Sequence, residues 1–314
     1  MRHHSPQWIA VMGATATGKS ALGVRLARAV DGEVVSMDSR QVYRGMDIGT
    51  GKITRAERAG VPHHLLDILN PDESGSAGRH AELARATMAD IVKRGRVPLL
   101  VGGTGLYFDA VFRPFIDLGV SVERIAQIRA EFDGISNEIL YDELRRVDAP
   151  RAAQISRNDR VRVTRALEVF RATGVPMSEQ FREQAAPANG ETGRVLKLVL
   201  TMPRPALRAR IDRRTRSMYG AGWVEEVRTL IDRGYGTNSP GLKSLGYEEI
   251  AAALEAGSEP GDTVDGVITR TQQYAKRQET FFRKEPDAVW LDVTADDYSA
   301  QADALVHAFL AAPE

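Results

Sequence analysis

Apolar residues follow two rhythms along the chain. Short unbroken or nearly unbroken runs, Trp8–Met12, Gly32–Asp38, Val97–Val101 and Val195–Thr201, have the length and β-branched character of strands buried on both faces. Between and after them, apolar positions recur every three or four residues, as in Ala81, Ala84, Met88, Ile91 and Val92 of the stretch Ala77–Arg94, which predicts an amphipathic helix stopped at Gly95. Ser20–Ala27, Leu207–Arg216, Val264–Lys284 and the alanine-rich tail read as further helices, and Val289–Asp292 as an edge strand. After about Leu118 the alternation gives way to consecutive helices, one of them opened by a capping box at Ser156-Arg157-Asn158-Asp159 and ended by Gly174. A polar stretch, Ala185–Gly193, then leads back to strand pattern. The expected fold is α/β: a core from residues 1–118 and 191–314 with a mainly parallel sheet flanked by helices, interrupted by a helical insertion at 119–190.

Composition narrows the setting. Lys plus Arg and Asp plus Glu each number 42, so any polyanionic partner has to be held by local patches and not by a global field. The absence of cysteine excludes disulfides and thiolate metal sites, and suits a reducing compartment. Met1–Pro6 lacks the apolar run of a signal peptide and no later run is long enough to span a bilayer, so a cytoplasmic monomer without a membrane partner is expected.

The first strand leads into chemistry. Gly13-Ala14-Thr15-Ala16-Thr17-Gly18-Lys19-Ser20 has the G-x-x-x-x-G-K-[ST] spacing of a phosphate loop, in the strand–loop–helix setting that such a loop needs. Its glycines let successive N–H groups turn inward, and the following helix aims its positive end at the same point. Lys19 adds a point charge, and the Ser20 hydroxyl is placed to ligate a magnesium ion bridging phosphate oxygens. The next strand ends at Asp38, on the edge of the sheet where ligands of open α/β folds sit; the residue is either a functional carboxylate or a cap. His63-His64 has no partner spacing for a metal and reads as structural. Where an ordinary phosphate-loop ATPase often carries an acidic residue, the Val97–Val101 strand ends in Gly102-Gly103-Thr104, presenting Thr104 on a turn.

Basic residues cluster locally. From Asp142 to Arg171 eight arginines face five acids, and Arg162 and Arg165 share a helical face that suits either phosphates or salt bridges to Asp159 and Glu168. Arg210 and Arg214, four apart, can aim planar forks at a diphosphate. In Val264–Lys284, Arg270, Arg277 and Lys284 repeat at seven residues beside Tyr274 and Phe281, one stripe basic and another aromatic for packing. From these residues alone, a small-molecule kinase using Asp38 on a hydroxyl, or a nucleotide-gated RNA-binding protein, shares the loop and the magnesium; a loop of this type also binds nucleotides such as ATP.

Taken together, Gly13–Ser20, Asp38–Tyr43, Met46–Thr50, Pro62–Leu65, Gly102–Tyr107, Arg165–Glu168, Gly246-Tyr247 and Lys276–Gln278 resemble, in order and over most of the chain, the bacterial tRNA dimethylallyltransferase family. The resemblance implies transfer of a dimethylallyl group from dimethylallyl diphosphate to the exocyclic amine of the adenosine 3′-adjacent to certain anticodons, with Mg2+. By the same resemblance Gly13–Ser20 would hold the diphosphate, with Ser20 on the metal. Asp38 would be the base, Thr104 a polar contact beside it and Arg214 a diphosphate clamp. The tRNA anticodon stem-loop would meet Asp38, Ser39, Arg40, Gln41, Arg129, Arg162, Arg165, Lys243, Gly246 and Tyr247. Two positions depart from the family pattern: Glu248 stands where relatives usually have Lys or Arg, and Phe281 where they usually have Trp.

Overall fold

The computed structural model describes residues 7–112, 122–184 and 193–312. Contacts divide the chain into two compact units, one formed by Met1–Val111 with Thr192–Glu314 and the other by Phe112–Glu191. The insertion boundaries read from the sequence at 118/119 and 190/191, and most of the polar stretch 185–193, lie outside the described residues.

In the first unit, β1 (Gln7–Gly13), α1 (Lys19–Ala29), β2 (Gly32–Ser36), β3 (His63–His64), α2 (Ala77–Lys93), β4 (Val97–Gly102) and α3 (Gly105–Phe112) follow in order. All five residues of β2 and the last five of β4 are buried; β4 is apolar throughout, as such a position favours, whereas β2 also takes Glu33 and Ser36 inside. Beyond the insertion the unit resumes with β5 (Arg194–Thr201). Strands β1 to β5 and a sixth, β6 (Ala288–Asp292), pair in parallel in the order β3-β2-β4-β1-β5-β6. Parallel pairing places all their carboxyl ends, and the loops that follow them, on one edge. Leu26, Val34, Leu99 and Leu198 build the core under α1, joined by Ala302 and Val306 of the closing helix at Tyr298–Ala311.

The histidine pair does structural work. β3 is two residues long, and His64 Nε2 lies 2.6 Å from the carboxylate of Glu33, a β2 residue 1% exposed. Arg94 grips the same carboxylate, and these partners hold it at about 2 against the cost of burial. The short edge strand is thereby tied down by side chains where two residues of ladder would be weak.

The second unit has its own core. Helices α4 (Val122–Ala130), α5 (Asn137–Val147), α6 (Ala149–Ala152), α7 (Arg160–Thr173) and α8 (Met177–Gln184) enclose Ile128, Phe132, Leu140, Leu144, Val163 and Leu167. Helix α7 corrects the capping box read at Ser156: Asp159 is the N-cap, its carboxylate accepting from the Arg162 N–H, while Ser156 turns its hydroxyl to the Asn158 N–H. The Ser-x-x-Asp pattern sits one turn early because the chain needs 156–159 to bend into the helix. The expected stop at Gly174 holds, with φ at 73° in the left-handed region that glycine favours.

After β5 come α9 (Arg204–Gly220), α10 (Trp223–Asp232), α11 (Tyr247–Glu255) and α12 (Val264–Phe282). Among the described residues no helix is long and apolar enough to cross a membrane.

Candidate active site

Three loops converge at the carboxyl edge of β1, β2 and β4. The phosphate loop leaves β1 at Gly13 and ends in α1, with Gly18 in the left-handed region at its start. It is braced from within. The Thr17 hydroxyl, buried, donates to the Ala14 carbonyl at 2.8 Å, and Ala14 and Ala16 pack their methyl groups into an apolar cluster with Met202, Leu207 and Ile211. Thr17, Ala14 and Ala16 therefore shape the loop with their side chains, and what they can offer an anion is backbone.

Two cations meet at this loop. Lys19 Nζ donates to the Ala14 carbonyl at 2.7 Å, and Arg214 Nη1 to the Thr15 hydroxyl at 3.3 Å. Burial pushes the Lys19 ammonium down to about 8, with Asp38 drawing it up and Arg214 adding to the fall. Arg214 is lowered likewise, by burial and then by Arg210, against the pull of Asp38 and Glu57. Arg214 comes from α9, and Gly51 makes room for it: a Cβ there would stand 1.8 Å from the guanidinium. Three cations, Lys19, Arg210 and Arg214, against two carboxylates, Asp38 and Glu57, form a site short of negative charge.

Asp38 follows β2 by two residues. Its Oδ1 accepts from the N–H of Arg40 at 2.8 Å and of Gln41 at 3.4 Å, so the carboxylate both caps this turn and is fixed by it. Its charge is felt at Lys19, Arg214, His80, Tyr107 and Tyr274, which puts it at the electrical centre of the site. Thr104, just before α3, accepts from the Ser39 N–H at 3.0 Å and donates to the Ser39 hydroxyl at 3.3 Å. Its side chain thus joins the β2 and β4 loops instead of capping α3. Below them His80 Nε2 donates to the Ser36 carbonyl at 2.9 Å and its ring stacks on Tyr107 at 4.1 Å; burial holds it down at about 4, so it stays neutral.

Residues of α12 also reach this edge. Tyr274 lies within hydrogen-bonding reach of Thr104 and is raised by burial and by Asp38, and Gln278 binds both the phosphate loop and the glycine turn. Gln278 was marked in the sequence by the Lys276–Gln278 block, and Tyr274 only by the aromatic stripe read as packing. The expected basic stripe on this helix is shorter than read, because α12 ends at Phe282 before Lys284.

The expected RNA contacts fall into distinct surroundings. Ser39 and Gln41 are half-buried and Arg40 exposed at the site itself, with Gln41 Nε2 donating to the Thr50 and Gly51 carbonyls. Lys243 is exposed. Gly246 and Tyr247 lie beneath the surface: Tyr247 is 0% exposed and donates to Glu226, and a Cβ on Gly246 would stand 2.1 Å from the Trp223 ring. The same Glu226 accepts from the N–H groups of Asp47, Ile48 and Gly49, so these residues support the 47–51 loop from beneath. Glu248 is paired at 3.1 Å with Arg270, which also holds Glu249 at 2.7 Å, so one guanidinium serves both carboxylates.

In the second unit Arg129 and Arg165 share one carboxylate, Glu168, at 2.8 and 3.2 Å, and Arg162 pairs with Asp159 while its side chain remains 68% exposed. Three guanidinium groups on two carboxylates leave one positive charge over.

The chain is similar to known proteins over most of its length. The family profile described as IPP transferase matches residues 41–285, and one described as isopentenyl transferase matches residues 6–70. A tRNA dimethylallyltransferase of Roseiflexus castenholzii is 44% identical over 306 residues, covering 95% of this chain and 96% of its own. Among solved structures, the full-length tRNA isopentenylpyrophosphate transferase of Bacillus halodurans superposes with a TM-score of 0.71 at 35% identity, over 98% of this chain and 97% of that one. A eukaryotic dimethylallyltransferase acting on tRNA superposes with a TM-score of 0.83 at 28% identity, over 98% of this chain and 80% of its own.

Proposed function

The chain belongs to the IPP transferase family, the tRNA dimethylallyltransferases, and on that premise we propose how its residues transfer a dimethylallyl group from dimethylallyl diphosphate to the exocyclic amine of the adenosine 3′-adjacent to the anticodon. The protein is a tRNA-modifying prenyltransferase; relatives that match it nearly end to end carry that name, and the kinase and nucleotide-gated readings of the loop give way to it.

The observation that carries the reading is the convergence of Lys19 and Arg214 on the Ala14–Thr15 turn. Both are lowered by burial, so an incoming diphosphate restores what desolvation removed, and it gains more as the carbon–oxygen bond breaks and charge collects on the leaving group. The amine lone pair forms the new bond to the allylic carbon, diphosphate departs with the electrons of the carbon–oxygen bond, and the amine proton passes to the Asp38 carboxylate. The turn N–H groups of Arg40 and Gln41 keep that carboxylate oriented, and Thr104 keeps the turn itself joined to the β4 loop. The adenine lies in a base stack and has to be extruded to reach this edge.

Ser20, in the first turn of α1, is the hydroxyl here that would ligate Mg2+. Among the described residues no group of three or more His, Cys, Asp or Glu could hold a metal, so the donors fit an ion that keeps water and takes its other ligands from phosphate, as Mg2+ does, and not a caged Zn2+ or Ca2+. When bound, the ion would neutralise charge on the diphosphate. For RNA we propose Ser39, Arg40 and Gln41 near the reacting base, Lys243 as a further contact, and Arg129, Arg162 and Arg165 on stem phosphates. Exposed pairs such as Arg162–Asp159 are worth about 0–1 kcal/mol, so a phosphate can replace the aspartate at little cost.

The test is direct. Incubation with dimethylallyl diphosphate and unmodified tRNA, followed by mass analysis of nucleosides, is expected to show adenosine heavier by one dimethylallyl group. ATP turnover without RNA, and no mass gain, would overturn the reading.

A further inference from the structure

One side chain at the site has no part in the chemistry above. Gln278, on α12, is 7% exposed, and both ends of its amide are used: Oε1 accepts the Thr15 N–H at 2.8 Å, and Nε2 donates to the Gly103 carbonyl at 2.8 Å. Buried amides are costly unless matched, and one matched at both ends fixes the spacing of what it joins. Here it joins the two loops that divide the reaction. Thr15 belongs to the phosphate loop and receives Arg214, while Gly103 precedes Thr104, the residue that holds the Ser39 side of the Asp38 turn.

The neighbouring contacts make the joint close. A Cβ on Gly103 would stand 2.4 Å from Gln278 Nε2, so glycine is what allows the amide to reach the carbonyl. Along the same face of α12, Tyr274 meets Thr104, and the Phe281 ring covers Gly105, where a Cβ would stand 2.2 Å from it. Residues at i, i+4 and i+7 of one helix therefore seat on the glycine turn, and of these Gln278 also reaches the phosphate loop. Since Thr15 gives its N–H to Gln278, the diphosphate is left to the other loop amides and the two cations.

We propose that Gln278 is a positioning residue for prenyl transfer, setting the separation of the donor loop from the Thr104 turn and hence of the allylic carbon from the amine held at Asp38. Bond formation needs reacting atoms roughly 3–3.5 Å apart, and a misplacement of about 1 Å costs on the order of a hundredfold in rate. The proposal rests on the prenyl-transfer reading.

Three variants test it by single-turnover rate, donor affinity, tRNA affinity and melting temperature. Gln278→Leu removes both bonds and is expected to lower the single-turnover rate roughly ten- to a hundredfold, with tRNA affinity unchanged and donor affinity changed far less than the rate. Gly103→Ala displaces the amide without altering it and is expected to reproduce the loss; the double variant should lose less than the product of the two, because both act on one joint. Gln278→Glu keeps an acceptor for Thr15 but sets a carboxylate against the Gly103 carbonyl. Protonation restores a donor, so the ratio of its rate to wild type is expected to rise as pH falls, which a merely structural defect would not produce. This variant and Gly103→Ala carry the test if Gln278→Leu does not fold. Single-turnover rates within about twofold of wild type in folded variants, multiplicative losses, or a flat pH ratio would overturn the role of Gln278. Absence of product from the wild-type protein run alongside would instead overturn the transfer reading itself.

Discussion

At the scale of single residues, the site is a set of charges placed where water is scarce. Asp38 has two duties, capping its turn through Oδ1 and, in the proposed mechanism, taking the amine proton. The two separate on substitution. Asp38→Asn retains an acceptor oxygen for the Arg40 N–H but not the basicity, so the single-turnover rate is expected to fall roughly a hundredfold to ten-thousandfold while affinity for either substrate and melting temperature change little. A variant that melts earlier yet reacts at close to the wild-type rate would assign Asp38 to the cap alone. Lys19 shows why charge balance matters here: burial that brings an ammonium to about 8 leaves it partly deprotonated at mildly alkaline pH, and an arriving diphosphate favours the charged form.

At the scale of elements, helices far along the chain hold loops near its start. α10 supplies Glu226, whose carboxylate accepts three consecutive backbone N–H groups, of Asp47, Ile48 and Gly49, together with the Tyr247 hydroxyl of α11. Replacing it leaves three backbone N–H groups and the hydroxyl of buried Tyr247 without their acceptor, so Glu226→Ala is expected to cost roughly 1–3 kcal/mol in urea or thermal unfolding. The loop it supports ends at Gly51, against Arg214, so donor affinity should weaken as well. Unchanged donor binding in the folded variant would mean that the loop keeps its course without this anchor. Tyr247 and Gly246 belong to this support. They form a distinctive dipeptide in the sequence, yet the fold uses them to pack on Trp223.

At the scale of the whole molecule, a chain with no net charge has to bind a polyanion through local surplus. In the second unit the surplus is the one positive charge left by Arg129, Arg162 and Arg165 over Asp159 and Glu168. Each phosphate contact releases counterions, so replacing Arg162 and Arg165 together by alanine is expected to weaken tRNA binding and reduce the slope of log affinity against log salt by roughly 1–2, with donor affinity unaltered. A slope equal to wild type would leave both arginines as partners of their carboxylates and nothing more.

The parallel α/β core, the phosphate loop and the strand-end positions of Asp38 and Thr104 were legible from local pattern. Each is set by near neighbours: apolar runs, glycine spacing and the turn that follows a strand. The family resemblance carried the reading further, to the reaction. Which polar side chains face the site and which are consumed inside it depended on packing between distant segments. Gln278, Tyr274 and Glu226 meet partners far away in the chain, and a polar residue at a helical spacing looks the same in sequence whether it faces solvent or a loop. Tyr247 is the converse case, since a tyrosine among charged residues gives no local sign that a carboxylate from another helix accepts from its hydroxyl. Periodicity records how a segment divides apolar from polar, and the pairing of buried polar groups across distant segments is set by packing alone.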